Sequence, residues 1–327
     1  MIRIGIVGLG RFAQLHIACL QQMPGVQIVA VCDIDRERVE TCKRELSCSG
    51  YTNVEAMLKG EQLDALDVLT PEQHHYAAVM AGLQAGCHVF VEKPLDSGLE
   101  QAEQMVQAAA ACGRLLMVGH VTRFDPRHME MKRAIERGEI GKIRSIYARR
   151  SDRREYFGLY KRSPVVMILG VHDIDQILWV MNELPVEVYA RSSSSAEGED
   201  MVCAMLIFRD GAVAMIDCNW LTPAGWPAAQ DQFTQIMGDA GALRMQTPDS
   251  VSICTETRHD HPFLYAVRNV YDRMEGPLVS ELSHFIDCVR TGEPSAILRP
   301  EDALNVIRVA AAIIRSCDEG RPIRMDV

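Results

Sequence analysis

The chain has 327 residues, 48% of them hydrophobic and 24% charged, with a formal net charge of −10. That is globular composition with enough apolar material for a full core, and at about 150 residues per domain two domains are expected. The negative balance argues against broad nucleic-acid or anionic-membrane binding. Met1-Ile2-Arg3 runs straight into a strand pattern without a targeting signature, and the apolar run 309–314 is far too short to span a bilayer. Eleven cysteines are scattered singly, with no C-x-x-C pair, which reads as reduced thiols packed as small hydrophobes in a cytoplasmic protein.

Residues 2–7 are a compact, β-branched apolar run. Gly8-Leu9-Gly10-Arg11-Phe12-Ala13 follows, then a helical pattern stopped by Pro24-Gly25. This predicts strand, glycine turn and helix, with the glycines letting backbone approach a pyrophosphate at the helix N-terminus. Alone, such a turn is unspecific. A second strand over 27–32 ends in Asp33, placed to accept hydrogen bonds from ribose hydroxyls and to repel a 2′-phosphate, which favours NAD over NADP. The competing reading makes Asp33 the N-cap of the helix over 36–46.

The alternation continues. Asn53 caps a short helix, and a strand over 65–69 ends at Thr70-Pro71. A helix over 75–85 stops at Gly86, and a strand over 88–91 leads into Glu92-Lys93-Pro94. A helix over 99–111 stops at Gly113, and a strand over 115–118 ends at Gly119-His120. These strands alternating with helices predict a doubly wound parallel sheet. Thr70, Lys93 and His120 follow strand ends, so they share one rim with the glycine turn, where ligands of open α/β sheets collect.

The pattern then changes. After a helix over 126–137, residues 143–150 alternate like a half-buried strand. The basic stretch from Arg149-Arg150 through Arg153-Arg154 to Lys161-Arg162 reads either as a loop holding an anionic substrate group or as a solvated surface loop. His172 and Asp173 open a helix carrying Ile174, Ile177, Leu178 and Met181 at helical spacing. Strands over 186–191, 201–208, 212–220, 233–237, 242–245 and 251–254 are antiparallel in style. Ser192 to Ser195 reads as a short loop and Asp210-Gly211 as a primed hairpin turn. Helices over 279–290 and 300–319 close the chain. His259-Asp260-His261 lacks further ligands at metal spacing and reads as a loop before Pro262, so no metal is expected. One face of the second sheet needs covering, and a second subunit is the expected cover.

In order along the chain, Gly8-x-Gly10-x-x-Ala13, Asp33, Thr70-Pro71 with His75, Glu92-Lys93-Pro94, Gly119-His120-Val121-Thr122-Arg123-Phe124 and Gly170-Val171-His172-Asp173-Ile174-Asp175 resemble the Gfo/Idh/MocA family. The resemblance implies an N-terminal Rossmann domain over residues 1–121. It implies a C-terminal α+β domain over 122–327, with a large, mostly antiparallel open sheet through which homodimers or homotetramers form, and with closing helices that pack back on the first domain. It implies NAD-dependent hydride transfer to or from a secondary alcohol of a sugar, polyol or nucleotide-sugar. By the family pattern, Gly8, Gly10, Arg11 and Phe12 line the pyrophosphate turn and Asp33 meets the ribose. Thr70, Pro71, His75, Glu92 and Lys93 border the cofactor. Lys93 hydrogen-bonds the reacting oxygen, His172 is the general acid/base, and His120, Arg123 and Asp175 line or support the substrate cavity.

Those residue types suit the chemistry. A base titrating near working pH takes the hydroxyl proton, and a compact cation meets the developing alkoxide. One position departs from the pattern: many members carry an aspartate four residues before the histidine, where this chain has Ile168. Either His172 works alone, Asp173 or Asp175 substitutes, or catalysis is lost. The last case leaves an NAD-binding sensor, a class the family contains alongside NAD-dependent glycosidases.

Overall fold

Strand β1 (Ile2–Val7) exists because six consecutive residues without a charge beyond Arg3 are sandwiched between neighbours on both sides. β2 (Val26–Cys32), β3 (Ser49–Tyr51), β4 (Ala65–Val68), β5 (His88–Glu92) and β6 (Leu116–Gly119) complete a six-stranded sheet in the order β3-β2-β1-β4-β5-β6, every pairing parallel. Helices α1 (Arg11–Leu20), α2 (Arg36–Leu46), α3 (Val54–Gly60), α4 (His75–Gln84) and α5 (Leu99–Cys112) link the strands. Their ends follow local chemistry. Asn53 accepts the Ala56 N–H at the start of α3, and Gly113 closes α5 in the left-handed region at φ 60°. The strand order reverses between β1 and β4, which makes that crevice the switch point for a dinucleotide. Ser49–Tyr51 is a short edge strand that no apolar run announces.

The computed structural model describes residues 1–228, 230–247, 253–255, 259–260 and 267–325. The chain divides into two units, Met1–Phe124 with Ala266–Leu304, and Asp125–Tyr265 with Asn305–Val327.

The second unit opens with α6 (Pro126–Glu136), whose Asp125 cap accepts the Arg127 N–H. Then come β7 (Ile143–Arg153), α7 (Arg154–Tyr160), a π-helical turn at Val166–Gly170 and α8 (Val171–Met181). Strands β8 (Glu187–Ser195), β9 (Gly198–Ile207), β10 (Val213–Thr222), β11 (Gln230–Gly238) and β12 (Ala242–Gln246) follow. With the closing strand Ile323–Arg324 they form a seven-stranded sheet ordered β12-β11-β7-β10-β9-β8-closing strand. It is mixed, since β7 and β10 run parallel while every other pairing is antiparallel. Met205, Met215 and Met237 stand 39%, 42% and 42% exposed on this sheet. Two helices, α9 (Pro277–Thr291) and α10 (Pro300–Glu319), end the helical inventory, with α9 in the first unit.

Four expectations need correction. The basic stretch is no loop: residues 149–153 are the end of the long strand β7 and Arg154 begins α7. Ser192 to Ser195 belong to β8, whose polar half pairs with β9. The Asp210-Gly211 turn is a three-residue loop: the Phe208 N–H donates to Ala212 O, and only Gly211 has positive φ. A two-residue primed turn of the Asp-Gly type needs positive φ at both residues. His259–Asp260 form a short strand against Ile253–Cys254, while residues 251, 252 and 261 lie outside the described residues. No helix among the described residues is long and apolar enough to cross a membrane.

Candidate functional site

The glycine turn at the end of β1 needs its first glycine for conformation and space. Gly8 has φ +91°, and a Cβ there would stand 2.7 Å from the Leu69 carbonyl carbon and oxygen and from Thr70 N. A side chain would therefore collide with backbone, which has no rotamer to move. Gly10 differs: a Cβ there would meet nothing within 4 Å, so the space beside it is open. Gly10 also N-caps α1 without a side-chain cap, and the first turn of that helix carries no acidic residue. A helix N-terminus without a side-chain cap, beside an open space, suits a pyrophosphate. Arg11 and Phe12 are exposed on that first turn.

Asp33 ties the turn to β2. Its Oδ2 accepts the Leu9 N–H at 2.6 Å and its Oδ1 accepts the Asp35 N–H at 2.9 Å. Each oxygen carries about two acceptor sites, so capacity remains for ribose hydroxyls. The N-cap of α2 is Asp35, not Asp33, accepting from Glu37 and Arg38 N–H. Arg38 is engaged with Asp35 at 3.3 Å. The residues present thus fit a dinucleotide with an unphosphorylated adenosine ribose.

Thr70, Pro71, Glu92, Lys93 and His120 follow or end β4, β5 and β6 in the same parallel sheet, on the same carboxyl rim. Lys93 is half-buried, its N–H donating to Glu92 Oε2 at 3.1 Å, and the Lys93-Pro94 peptide is cis. His75 is buried, with Nδ1 2.9 Å from Pro94 O and Nε2 2.9 Å from Thr70 O. Burial lowers its pKa against the pull of those carbonyls. The ring therefore braces the loop after β4 against the loop that carries Lys93. Arg123 is buried too, and its Nη1 donates to Ile297 O at 2.6 Å and Asp302 Oδ2 at 3.0 Å. It anchors the returning segment of the first unit.

His172 lies in the second unit, at the second position of α8, partly exposed. The aspartate position of the family pattern, Ile168, is buried within the π-helical turn. Both oxygens of Asp173 accept from the buried Arg150 guanidinium at 2.9 and 3.0 Å, which ties this carboxylate to β7. Asp175 is fully buried one turn beyond His172 and acts electrostatically on His128. The arginines of the basic stretch face carboxylates of their own unit: Arg149 with Asp231, Arg150 with Asp173, Arg153 with Glu155 and Arg154 with Asp200. That pairing removes the reason to read residues 149–154 as an anion clamp.

Two buried polar residues escaped the sequence reading. His16 on α1 and Asp67 in β4 are fully buried and joined, with His16 Nδ1 2.9 Å from Asp67 Oδ2. Both left a signal: a histidine on the apolar face of the glycine-turn helix, and a charge inside a buried strand.

Residues 2–120 match the profile of an oxidoreductase family with an NAD-binding Rossmann fold, and residues 132–325 match the C-terminal alpha/beta domain of the same family. The chain is 26% identical over 338 residues to myo-inositol 2-dehydrogenase of Thermotoga maritima, covering 99% of each. It is 27% identical over 347 residues to scyllo-inositol 2-dehydrogenase (NAD(+)) of Bacillus subtilis, covering 100% of this chain and 97% of that one. Among solved structures, the WlbA dehydrogenase of Bordetella pertussis in complex with NADH and UDP-GlcNAcA superposes with a TM-score of 0.84 at 25% identity, covering 100% and 99%.

Proposed function

Because the chain belongs to the GFO/IDH/MocA oxidoreductase family, we propose that it transfers hydride between NAD and a secondary alcohol or ketone of a sugar, polyol or nucleotide-sugar. The observation that carries this reading is the rim of the parallel sheet. There an open glycine cradle, an aspartate bound to that turn and a half-buried lysine stand at the carboxyl ends of β1, β2 and β5 of one sheet. Bound NAD supplies the hydride acceptor. Lys93 donates to the reacting oxygen and stabilises the alkoxide that develops as hydride leaves. His172 takes the hydroxyl proton, a task that suits an imidazole. Gly8, Gly10, Arg11, Phe12 and Asp33 hold the nucleotide. Thr70, Pro71, His75 and Glu92 shape its nicotinamide side, and His120, Arg123 and Asp175 support the substrate cavity. The exposed methionine face of the seven-stranded sheet is the surface through which subunits pair.

Ile168 supports a second reading. A buried isoleucine can neither orient the His172 ring nor accept a proton, and an NAD-binding sensor needs no such group. One experiment separates the two. The purified chain is offered inositols, sugars, sugar acids and nucleotide-sugars with NAD⁺ and NADP⁺, and the absorbance of reduced cofactor is followed. Turnover with NAD⁺, abolished by Lys93→Ala, supports the dehydrogenase. Turnover that survives this substitution refutes the role given to Lys93. Binding of NAD⁺ without turnover of any substrate favours the sensor.

A further inference from the structure

Four secondary-structure elements converge on a charge cluster of which only Glu92 has a role above. His16 of α1 lies with Nδ1 2.9 Å from Asp67 Oδ2 in β4, and with Nε2 3.6 Å from Glu92 Oε1 at the end of β5. β6 contributes Gly119, where a Cβ would stand 2.7 Å from Glu92 Oε1, so only a glycine there leaves the carboxylate its place. Glu92 Oε2 accepts the Lys93 N–H. Phe12 and Phe90 enclose the imidazole, at ring-centroid distances of 5.1 and 5.8 Å.

Two carboxylates on either side of one imidazole favour a cation between them. His16 occupies that position. Burial alone would lower its pKa, but the charge of Asp67 and its hydrogen bond, helped by Glu92, raise it to about 10. Of the other titratable groups near the pair, Cys19 and His75 supply no charge near neutral pH, and Lys93, next to Glu92 in the chain, carries the cation assigned above to the reacting oxygen. Burial and Asp67 push the Cys19 thiol up to about 12, and burial holds His75, which faces Glu92, below its ordinary value. From α9, packed on α1, Phe285 meets Phe90. Two carboxylates and one imidazolium leave a single net negative charge. Asp33 fixes the adenosine half of a dinucleotide on the β2 side of the switch point, so the nicotinamide half extends over β4 and β5, where this charge lies.

We propose that His16 is a positioning residue of the cofactor site: bridging Asp67 and Glu92 as an imidazolium, it holds one net negative charge beneath the nicotinamide and thereby favours the cationic oxidised ring over the neutral reduced one. The inference rests on the NAD reading given above. Its test is the ratio of NAD⁺ to NADH dissociation constants, measured by fluorescence titration of the full chain across pH about 6 to 9. That range straddles the ordinary histidine pKa. The native ratio is flat with pH. Glu92→Gln neutralises the cluster and weakens NAD⁺ relative to NADH by about tenfold, the scale of one unit charge acting a few ångströms away in a partly buried site. His16→Gln removes the cation between the two carboxylates, and the ratio becomes pH-dependent.

Nitrogen NMR of the histidine rings in the native protein needs no variant to fold, and it shows both His16 nitrogens protonated at pH about 8, above the ordinary histidine pKa. A neutral His16 ring at that pH, or an unchanged ratio in Glu92→Gln, overturns the proposal while leaving the dehydrogenase reading standing. Failure of the native chain to bind either nucleotide overturns both.

Discussion

Arg150→Met tests the pairing that commits Asp173 to structure. Arg150 in β7 and Asp173 in α8 meet through two parallel hydrogen bonds of 2.9 and 3.0 Å, with side chains only 5% and 3% exposed. Methionine keeps most of the apolar stem but removes the guanidinium, leaving a carboxylate buried among apolar neighbours. Breaking a buried ion pair from one side costs about 3–5 kcal/mol. For a unit of this size each kcal/mol moves the melting temperature by about 2–4 °C, so the variant melts about 10 °C lower. Removing both charges in Arg150→Met/Asp173→Leu recovers most of that loss, because the desolvation cost disappears with the charges. Thermal unfolding of the full chain, followed by circular dichroism, reads both values. A single variant that melts with the native protein, or a double variant no better than the single one, refutes the reasoning. Either result would also free Asp173 to orient its neighbour His172.

Gly8→Ala puts a Cβ 2.7 Å from the Leu69 carbonyl and Thr70 N at a φ of +91°. Strain of this kind is of order 1–3 kcal/mol, so NAD⁺ binding weakens by about 5- to 150-fold; calorimetric titration checks it. His128 is buried, and burial is the main reason its pKa falls to about 4, with Asp125 raising it and Arg150 lowering it. The unfolded ring titrates near about 6.5, so between those values the unfolded chain binds the extra proton. Stability therefore falls as pH drops from about 6.5 toward 4. Urea midpoints measured across that window show a shallower slope in His128→Gln. Ile168→Asp places a carboxylate four residues before His172. Steady-state kinetics are expected to show a higher kcat at unchanged KM, and no gain would mean that another group already orients the imidazole.

The parallel sheet was legible because its signals are local. Each strand except the short edge strand β3 is an apolar run, and each helix begins or ends at a residue such as Asn53 or Gly113 whose side chain, or lack of one, decides the backbone. Lys93 was legible for the same reason, since a strand end can be read from the strand alone. The basic stretch was misread because a central strand that buries Arg150 against Asp173 has the composition of an exposed loop; only the partner, 23 residues away, separates the two cases. The same limit hid Asp35 behind Asp33. Two acids two residues apart are equal candidates for a helix cap until the Leu9 N–H claims one of them. His16 and Asp67 are a third instance, joined across 51 residues by a single hydrogen bond.

The first unit is not written in one piece. Leu278, Leu282, Phe285 and Ile286 of α9 sit in the same apolar cluster as Ile4, Ile6, Ala13 and Phe90. A ribosome therefore delivers the glycine turn and all six parallel strands long before the helix that seals their core, with residues 125–265 emerging in between. During synthesis the nucleotide-binding sheet waits with an apolar face uncovered, and the second unit's sheet can begin to pair first. A fragment cut after Phe124 would inherit that exposed face permanently, which makes it prone to aggregate. The long-range closure also raises contact order, the feature of topology that slows folding most.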